Sequence, residues 1–504
     1  MGKKRVIVIG AGPGGLSAAL ILAHRGFEVT VVEKEDRVGG RNAELKVGPY
    51  SFDTGPTFLH QKWCLDEVFA EAGRKPEDYM EFVKLDPMTR LSWPGERSLE
   101  TTFDVGKMAR NIEASFPGEA EGFRRFMSDQ GPKLRAIYPC LQQPYHTIDS
   151  FFRRELLRAF PYVATPKTVV DALRRHFSDE DLMVAFTFQA KYLGMSPWRC
   201  PALFTILSYT EYKYGIYHTQ GGLCRISHGL AKAAEEEGAE IRLNARVKEL
   251  HFAGRNVEEV ELESGEKLSC DDVVVNADYA HAVTSIFDGR SRSQEAMRRK
   301  KYSCSTFMLY LGLDTLYAEE PHHHVIFADD YRRNIEEVGG EEIVSEDMSV
   351  YVRNSSVTDP GVAPEGHSQL YILAPTINTR HGYDWEARGA EYRDKVLSRI
   401  EERTGMKDLR DHIVEEAVIT PEGWERSGVF LGATFNLAHT IDQMLYFRPH
   451  NRMQGFDNLY LVGGGTHPGS GLPTIFESGR ISSNMLSKAR GVKFEKIDLA
   501  SQYL

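Results

Sequence analysis

The stretch that most constrains the chain begins at its fifth residue. Arg5-Val-Ile-Val-Ile-Gly10 is a short apolar run, it ends in Gly10-Ala-Gly12-Pro-Gly14-Gly15, and Leu16-Ser-Ala-Ala-Leu-Ile-Leu-Ala23 follows. A buried strand, a tight glycine turn and a helix in this order are what a dinucleotide-binding βαβ unit requires. Gly10 permits the turn, Gly12 lets the backbone approach a pyrophosphate, and Gly15 allows the helix to pack close to the strand. The N–H groups at the helix start, with the positive end of its dipole, then face the phosphates. Phe27-Glu-Val-Thr-Val-Val32 reads as the next strand and ends at Glu33-Lys34, with Glu33 placed to bind ribose hydroxyls. A signal peptide is the rival reading, since Lys3-Lys-Arg5 precedes the apolar run. Three close glycines and Pro13 interrupt such a helix, no small-residue cleavage site follows, and the chain is expected to keep its N-terminus.

A chain of 504 residues has room for two or three domains with large cores. Its net charge of −11 argues against a nucleic-acid partner, which calls for a basic surface. Cys64, Cys140, Cys200, Cys224, Cys270 and Cys304 lie far apart with no CxxC pair, which suggests a reducing compartment and no zinc or redox-cysteine centre. No apolar stretch approaches the ~18 residues of a membrane span. The expectation is a cytoplasmic protein, soluble or held at a surface.

Further along, Asp36-Arg-Val-Gly39-Gly40-Arg41 reads as a second bend, placing N–H groups and the forked guanidinium of Arg41 against the pyrophosphate. A helix is expected from Lys62 to Gly73 and a strand over Thr89–Trp93. Residues 131–175 carry eight basic and three acidic residues, an excess of +5 inside an acidic protein. Phe151, Phe152, Leu156, Leu157, Phe160, Tyr162 and Val163 interleave with these charges, as in a helix lying in a membrane interface. The plainer reading is an amphipathic helix packed on its own domain. Leu223–Ala234 has helical spacing, Glu240–Val247 alternates as a strand, a hairpin follows at Val257–Leu262, and Val273–Asp278 reads as a buried strand. This return to sheet after a long excursion implies a discontinuous cofactor domain. Strands are expected at Thr306–Leu313 and Gln369–Ala374, and a charged helix at Glu386–Gly405. His322-His323-His324 is read as a loop without a metal, because consecutive strand residues point to opposite faces.

The last informative stretch is Asn458–Pro473, a strand that runs into Gly463-Gly464-Gly465-Thr466-His467-Pro468-Gly469-Ser-Gly471-Leu472-Pro473. Seven glycines or prolines in the eleven residues 463–473 exceed what a turn needs and point to close approach of a ligand.

Taken together these residues resemble the bacterial carotenoid desaturase family, the phytoene and 4,4'-diapophytoene (dehydrosqualene) desaturases. Beyond Gly10–Gly15, Val38-Gly-Gly-Arg41 and Phe52-Asp-Thr-Gly-Pro56, the likeness includes Tyr302-Ser-Cys-Ser305, Val325–Tyr331, Ala363–Gly366, Leu373-Ala-Pro375, Phe447–Arg452 and Gly465-Thr-His-Pro-Gly469. The resemblance implies an α/β fold with a discontinuous Rossmann-type FAD-binding domain, a mixed-sheet substrate domain and a helical, membrane-associating region. The expected division is 1–85, 215–300 and 425–504 for FAD, 86–130 and 301–424 for substrate, and 131–214 for the helical region. FAD is then expected at Gly10, Gly12, Gly14, Gly15, Glu33, Lys34, Gly39, Gly40, Arg41, Pro56, Thr57, Val247, Gly464, Gly465, His467, Gly471, Leu472 and Pro473. Arg225 and Arg246-Val247 resemble the family's adenine-side contacts. The substrate implied is an apolar polyisoprenoid drawn from a membrane surface, with quinone or O2 as electron acceptor; self-association is left open.

Removing two hydrogens from neighbouring carbons of a hydrocarbon points to hydride transfer to the flavin and loss of a proton from the adjacent carbon. Arg154-Glu155-Leu-Leu-Arg158 resembles an acid-x-x-arginine element of the family, in which Glu155 takes or relays the proton and Arg158 stabilises its charge; a surface salt bridge is the plainer reading. Departures at Gly464 and Ser470–Ser478 keep a carotenoid oxidase or isomerase open as alternatives. An amine oxidase and a non-catalytic carrier of prenylated ligands are the other function classes.

Overall fold

The first strand, Arg5–Ile9, sorts its side chains by alternation onto two cores. Val6 and Val8 join Leu16 and Leu20 of the first helix, Pro13–His24, while Ile7 and Ile9 join Val273, Val275, Leu459 and Leu461. Burial on both faces is the condition under which a parallel sheet forms. Five parallel strands lie in the order Leu459–Leu461, Asp272–Val275, Arg5–Ile9, Glu28–Val32 and Glu240–Arg242. This computed structural model describes residues 3–163, 165–189, 195–287, 293–341 and 343–504, so part of the 131–214 region lies outside the described residues.

Two expected strands are shorter than their alternation suggested. Glu240–Val247 is broken after Arg242, because Asn244 adopts φ +52° and turns the chain; pairing resumes in Val247–Ala253. The strand expected over Val273–Asp278 is Asp272–Val275, and Asn276 turns out of the sheet. The helix expected from Lys62 is Trp63–Ala70.

A second, seven-stranded sheet runs Ile413–Ile419, Ser305–Leu313, Ser368–Thr376, Val350–Asn354, His323–Ile326, Thr89–Ser92, Ser98–Thr101. Every pairing is antiparallel except His323–Ile326 with Thr89–Ser92. The helix Trp385–Arg403 covers one face with Trp385, Tyr392, Val396 and Ile400. Asp53 ties the layers together. Its carboxylate accepts the N–H groups of Leu223 and Cys224 at the start of the helix Cys224–Glu236, and it pairs with Arg353 of the second sheet at 2.6 Å.

The histidine run is not a loop. His323 and His324 open a buried strand, and His322 precedes it. His324 meets Ser92 Oγ and Glu320, His323 Nδ1 meets the Tyr351 hydroxyl at 2.7 Å, and Arg353 donates to His322 at 3.4 Å. Polar partners on the neighbouring strands make such a burial tolerable, which the run's own composition does not reveal. All six cysteines are free thiols.

The described residues between 120 and 214 are mainly helical, with Ala120–Leu141, Arg154–Val163 and Thr205–Tyr214 as the longer helices. No described helix is long and apolar enough to cross a membrane.

Candidate cofactor and substrate site

Asn276 is the centre of the glycine turns. Its side chain donates to the Gly10 carbonyl at 3.2 Å. A Cβ on Gly12 would stand 2.8 Å from Asn276 Nδ2, one on Gly14 2.8 Å from Oδ1, and one on Gly463 3.1 Å from Oδ1. Gly15 has a different reason, for its Cβ would stand 2.2 Å from the Gly10 carbonyl oxygen, backbone against backbone. Gly39 is joined to this turn by its N–H to Ala11 O at 2.8 Å, and Gly40 faces Gly12.

Both helices that begin here are uncapped. Gly12 precedes the first helix and Gly471 precedes Leu472–Ala489, and neither offers a side-chain cap. The two helix starts converge, since a Cβ on Gly14 would stand 3.1 Å from Ile475 and 3.3 Å from Gly463 N. Leu472 and Pro473 form the first turn of the second helix. Free N–H groups at converging helix starts suit a phosphate-bearing ligand.

Glu33 closes the other side. Its carboxylate accepts Ala11 N at 2.7 Å and Glu35 N at 3.0 Å, and its carbonyl accepts Ala245 N at 2.7 Å, two residues before Val247 opens the strand Val247–Ala253. Lys34 leans away and donates to the Ser427 carbonyl at 2.6 Å. Arg41 donates to the Thr434 carbonyl at 2.8 Å. With its amide oxygen turned towards Arg41, Asn436 accepts at 3.0 and 3.2 Å and donates to Asp278 Oδ2 at 2.7 Å. Burial pulls the Arg41 guanidinium below its usual pKa, and the Asp278 carboxylate opposes that pull. Asp278 is raised by burial and lowered by Arg41. Both side chains are half-buried. The close-approach glycines, the uncapped helix starts and the hydrogen-bonded Arg41 fit a dinucleotide cofactor such as FAD.

The segment after Arg41 leads to the second sheet. Thr54 Oγ1 donates to the Arg41 carbonyl at 3.0 Å, and a Cβ on Gly55 would meet the same oxygen at 2.3 Å. Pro56 and Thr57 follow, and Tyr351 donates to Thr57 at 2.8 Å. On the far side Gly464 packs on Asn436 and Gly465 on Tyr279.

His467 sits behind this turn, its ring edge-on to Tyr145 at 5.0 Å. Burial first, and then the charge of Arg448, push its pKa down to about 3, against the backbone carbonyls of Gln143 and Leu141. It is neutral at physiological pH. Glu155 is half-buried and Arg158 exposed on the helix Arg154–Val163, and no ion pair joins the two among the described residues.

Reasoning from the sequence missed Asn276, Asp278 and Asn436. The signal for the first two was available: a polar pair directly after a buried strand, where βα turns place ligand contacts. Asn436 lies in an irregular segment and left no such trace.

The chain matches the family described as flavin-containing amine oxidoreductase over residues 13–486. It is 44% identical over 498 residues to a 4,4'-diapophytoene desaturase (4,4'-diapolycopene-forming) of Methylomonas sp, covering 98% of this chain and 97% of that protein. It is 39% identical to an all-trans-zeta-carotene desaturase of Myxococcus xanthus, covering 97% and 94%. Among solved structures, cyclohexylamine oxidase from Brevibacterium oxydans superposes with a TM-score of 0.61 at 15% identity, covering 97% of this chain and all of that one.

Proposed function

The chain belongs to the flavin-containing amine oxidoreductases, in the bacterial carotenoid desaturase family, and from that premise we propose that it desaturates an acyclic C30 or C40 carotenoid precursor. It is an FAD-dependent oxidoreductase. The match to a 4,4'-diapophytoene desaturase along 98% of the chain carries this reading. When bound, FAD supplies a two-electron acceptor for the hydride of each oxidised bond, and quinone or O2 restores it. The residues of the chain hold the cofactor, exclude water and move the proton. Residues 1–85, 215–300 and 425–504 form the cofactor domain, 86–130 and 301–424 bind substrate, and 131–214 shape its approach.

A hydrocarbon of this kind has to be drawn from a bilayer, and one surface patch suits that task. Phe152 is 74% exposed, Phe160 62% and Leu157 59%, beside exposed Ile148. Phe151 packs on Tyr446 and Phe447 at ring separations of 5.3 and 6.3 Å, which adds exposed Phe447 and Ile441 to the patch. Leu156 and Ala159 face the core and anchor the helix, so the bilayer-facing residues are fewer than the sequence pattern suggested. Lys133 is not among the charges that face headgroups: it is buried and donates to the Ala202 carbonyl and to Thr205. Arg154 and Arg158 are exposed beside the apolar patch. The protein then rests on the cytoplasmic surface of the cell membrane, apolar side chains inserted and arginines at the headgroups. Glu155, at this mouth, relays a proton leaving the site, with Arg158 stabilising its charge.

Pigment analysis in cells that make either the C30 or the C40 precursor tests the reading. Expression should yield more conjugated, redder polyenes from one of them. Unchanged precursor in both hosts, with FAD bound to the protein, would refute it.

A further inference from the structure

Glu211 is a buried carboxylate with no fixed cation among the described residues. Its side chain is 1% exposed, in the helix Thr205–Tyr214. Other deep carboxylates here are compensated: Glu67 and Glu477 by Arg480, Glu71 by Arg25, Asp53 by Arg353, Asp272 by Arg490, and Glu119 by the N–H groups of Ser178 and Asp179. Glu211 instead receives the Gln189 amide at 3.2 Å, and His60 Nε2 lies 3.7 Å from its Oε2. That gap is too long for a hydrogen bond, so neither head is locked to the other. A buried carboxylate held by an amide alone costs stability, which asks for a reason in function.

The surroundings supply the reason. Leu59 is fully buried and bridges Tyr217 through both backbone groups, so the segment is extended and Phe58 and His60 share its opposite face. His60 is edge-on to Phe58 at 4.9 Å, and Phe58 to His323 at 5.4 Å. His323 meets Tyr351, which donates to Thr57. His60 therefore stands in the same layer as Thr57, at the end of the segment that leaves Arg41. Its side chain keeps 20% of its surface accessible. Phe204 and Leu207, seven and four residues before Glu211, lie on the same helical face and are also half-buried. Phe204 packs edge-on to His439, whose Nε2 accepts the Ser470 N–H at 3.1 Å. One helix face thus runs from the C-terminal glycine turn to His60.

We propose that Glu211 and His60 are the proton-accepting couple of this site, with the proton entering at His60 and resting on Glu211. The inference rests on the desaturase reading and adds its base. In each desaturation the neighbouring C–H gives up its hydride to the cofactor, as the family's activity supplies. The second C–H bond breaks, its electron pair becomes the new C=C bond, and its proton passes to the couple and then to solvent. Among the described residues, the titratable groups facing Glu211 are His60 from the extended segment and Tyr212 from its own helix. Burial raises Glu211 to about 7, against the Gln189 hydrogen bond, and burial lowers His60 to about 4. At neutral pH the carboxylate is therefore partly ionised and the imidazole neutral, a state ready to take one proton.

The test uses the full-length, FAD-loaded protein in proteoliposomes with phytoene or diapophytoene. Glu211→Gln should keep FAD and lower kcat by ~10²–10⁴, the weight of a positioned base. In the wild type kcat should rise with pH through about 7, as Glu211 ionises, and this limb should vanish in the variant. His60→Gln should cost a similar factor, and the double variant no more than the worse single one. Glu211→Asp should recover part of the rate.

A readout without turnover is thermal stability. A carboxyl raised from 4.5 to about 7 contributes stability below the lower value and loses it as pH rises through the upper one, so Glu211→Gln should melt higher than wild type at pH 8 but not at pH 4. If Glu211→Gln does not fold, the wild-type pH limb and His60→Gln still decide. Full turnover in both single variants with an unchanged pH profile would overturn the couple and leave the desaturase reading intact. A wild type that converts neither precursor would overturn that reading, and this inference with it.

Discussion

Asn276 donates to the carbonyl of Gly10 across a 3.2 Å hydrogen bond, and it does so from the first residue after a strand, 266 positions along the chain. The same amide fills the space that side chains on Gly12, Gly14 and Gly463 would need. The glycines of two turns thus make room for one side chain. Asn276→Leu should fold but release FAD, because a branched apolar group cannot hold the Gly10 carbonyl and crowds the pyrophosphate loop. Flavin fluorescence after desalting checks it; full retention would show that Asn276 is only a spacer.

Gly12 and Gly15 should fail differently. A valine at Gly12 presses on a movable amide, so the protein should remain soluble and lose flavin retention. A valine at Gly15 presses on the Gly10 backbone at 2.2 Å, and the first helix cannot dock. Circular dichroism and flavin content of the two variants separate these outcomes. Glu33→Ala should weaken FAD binding less than Gly12→Val, but it also strands the buried Ala11 N–H, at about 1–3 kcal/mol of stability.

The exposed patch yields a membrane prediction. Leu157→Asp with Phe160→Asp should abolish sedimentation with anionic vesicles while leaving FAD content unchanged, since both side chains face solvent. Arg154→Glu should make binding weaker and less sensitive to salt. Undiminished sedimentation of the double variant would return the helix to a role within its own domain.

The parallel sheet was legible because Arg5–Ile9 is an apolar run into a glycine turn and Asp272–Val275 carries three consecutive valines. The glycine turns were legible too, since Gly12 and Gly39 report close packing in the residue type itself. Pairings between distant segments were not. Nothing near Glu211 announces His60, which lies 151 positions earlier, and nothing in His322–His324 announces the hydroxyls, carboxylate and guanidinium that make a buried strand out of a polar run. The basic excess of residues 131–175 overstated the surface charge because Lys133 turns inward to the Ala202 carbonyl.

Glu155 offers a control on the proton path. As a relay at the mouth it should tolerate Glu155→Gln with under a tenfold loss of kcat, and Arg158→Lys with less. A loss of ~10²–10⁴ in Glu155→Gln, the weight of a positioned base, would move the proton acceptor from Glu211 to this helix. Steady-state rates in proteoliposomes distinguish the two.

The most direct measurement is an anaerobic single turnover of the FAD-loaded protein with diapophytoene or phytoene in vesicles. The flavin absorbance should bleach in step with a new, red-shifted polyene chromophore, one double bond gained per flavin reduced, and readmitted quinone or O2 should restore the flavin. A flavin that stays oxidised with both hydrocarbons, or that bleaches with a primary amine instead, would contradict the assignment.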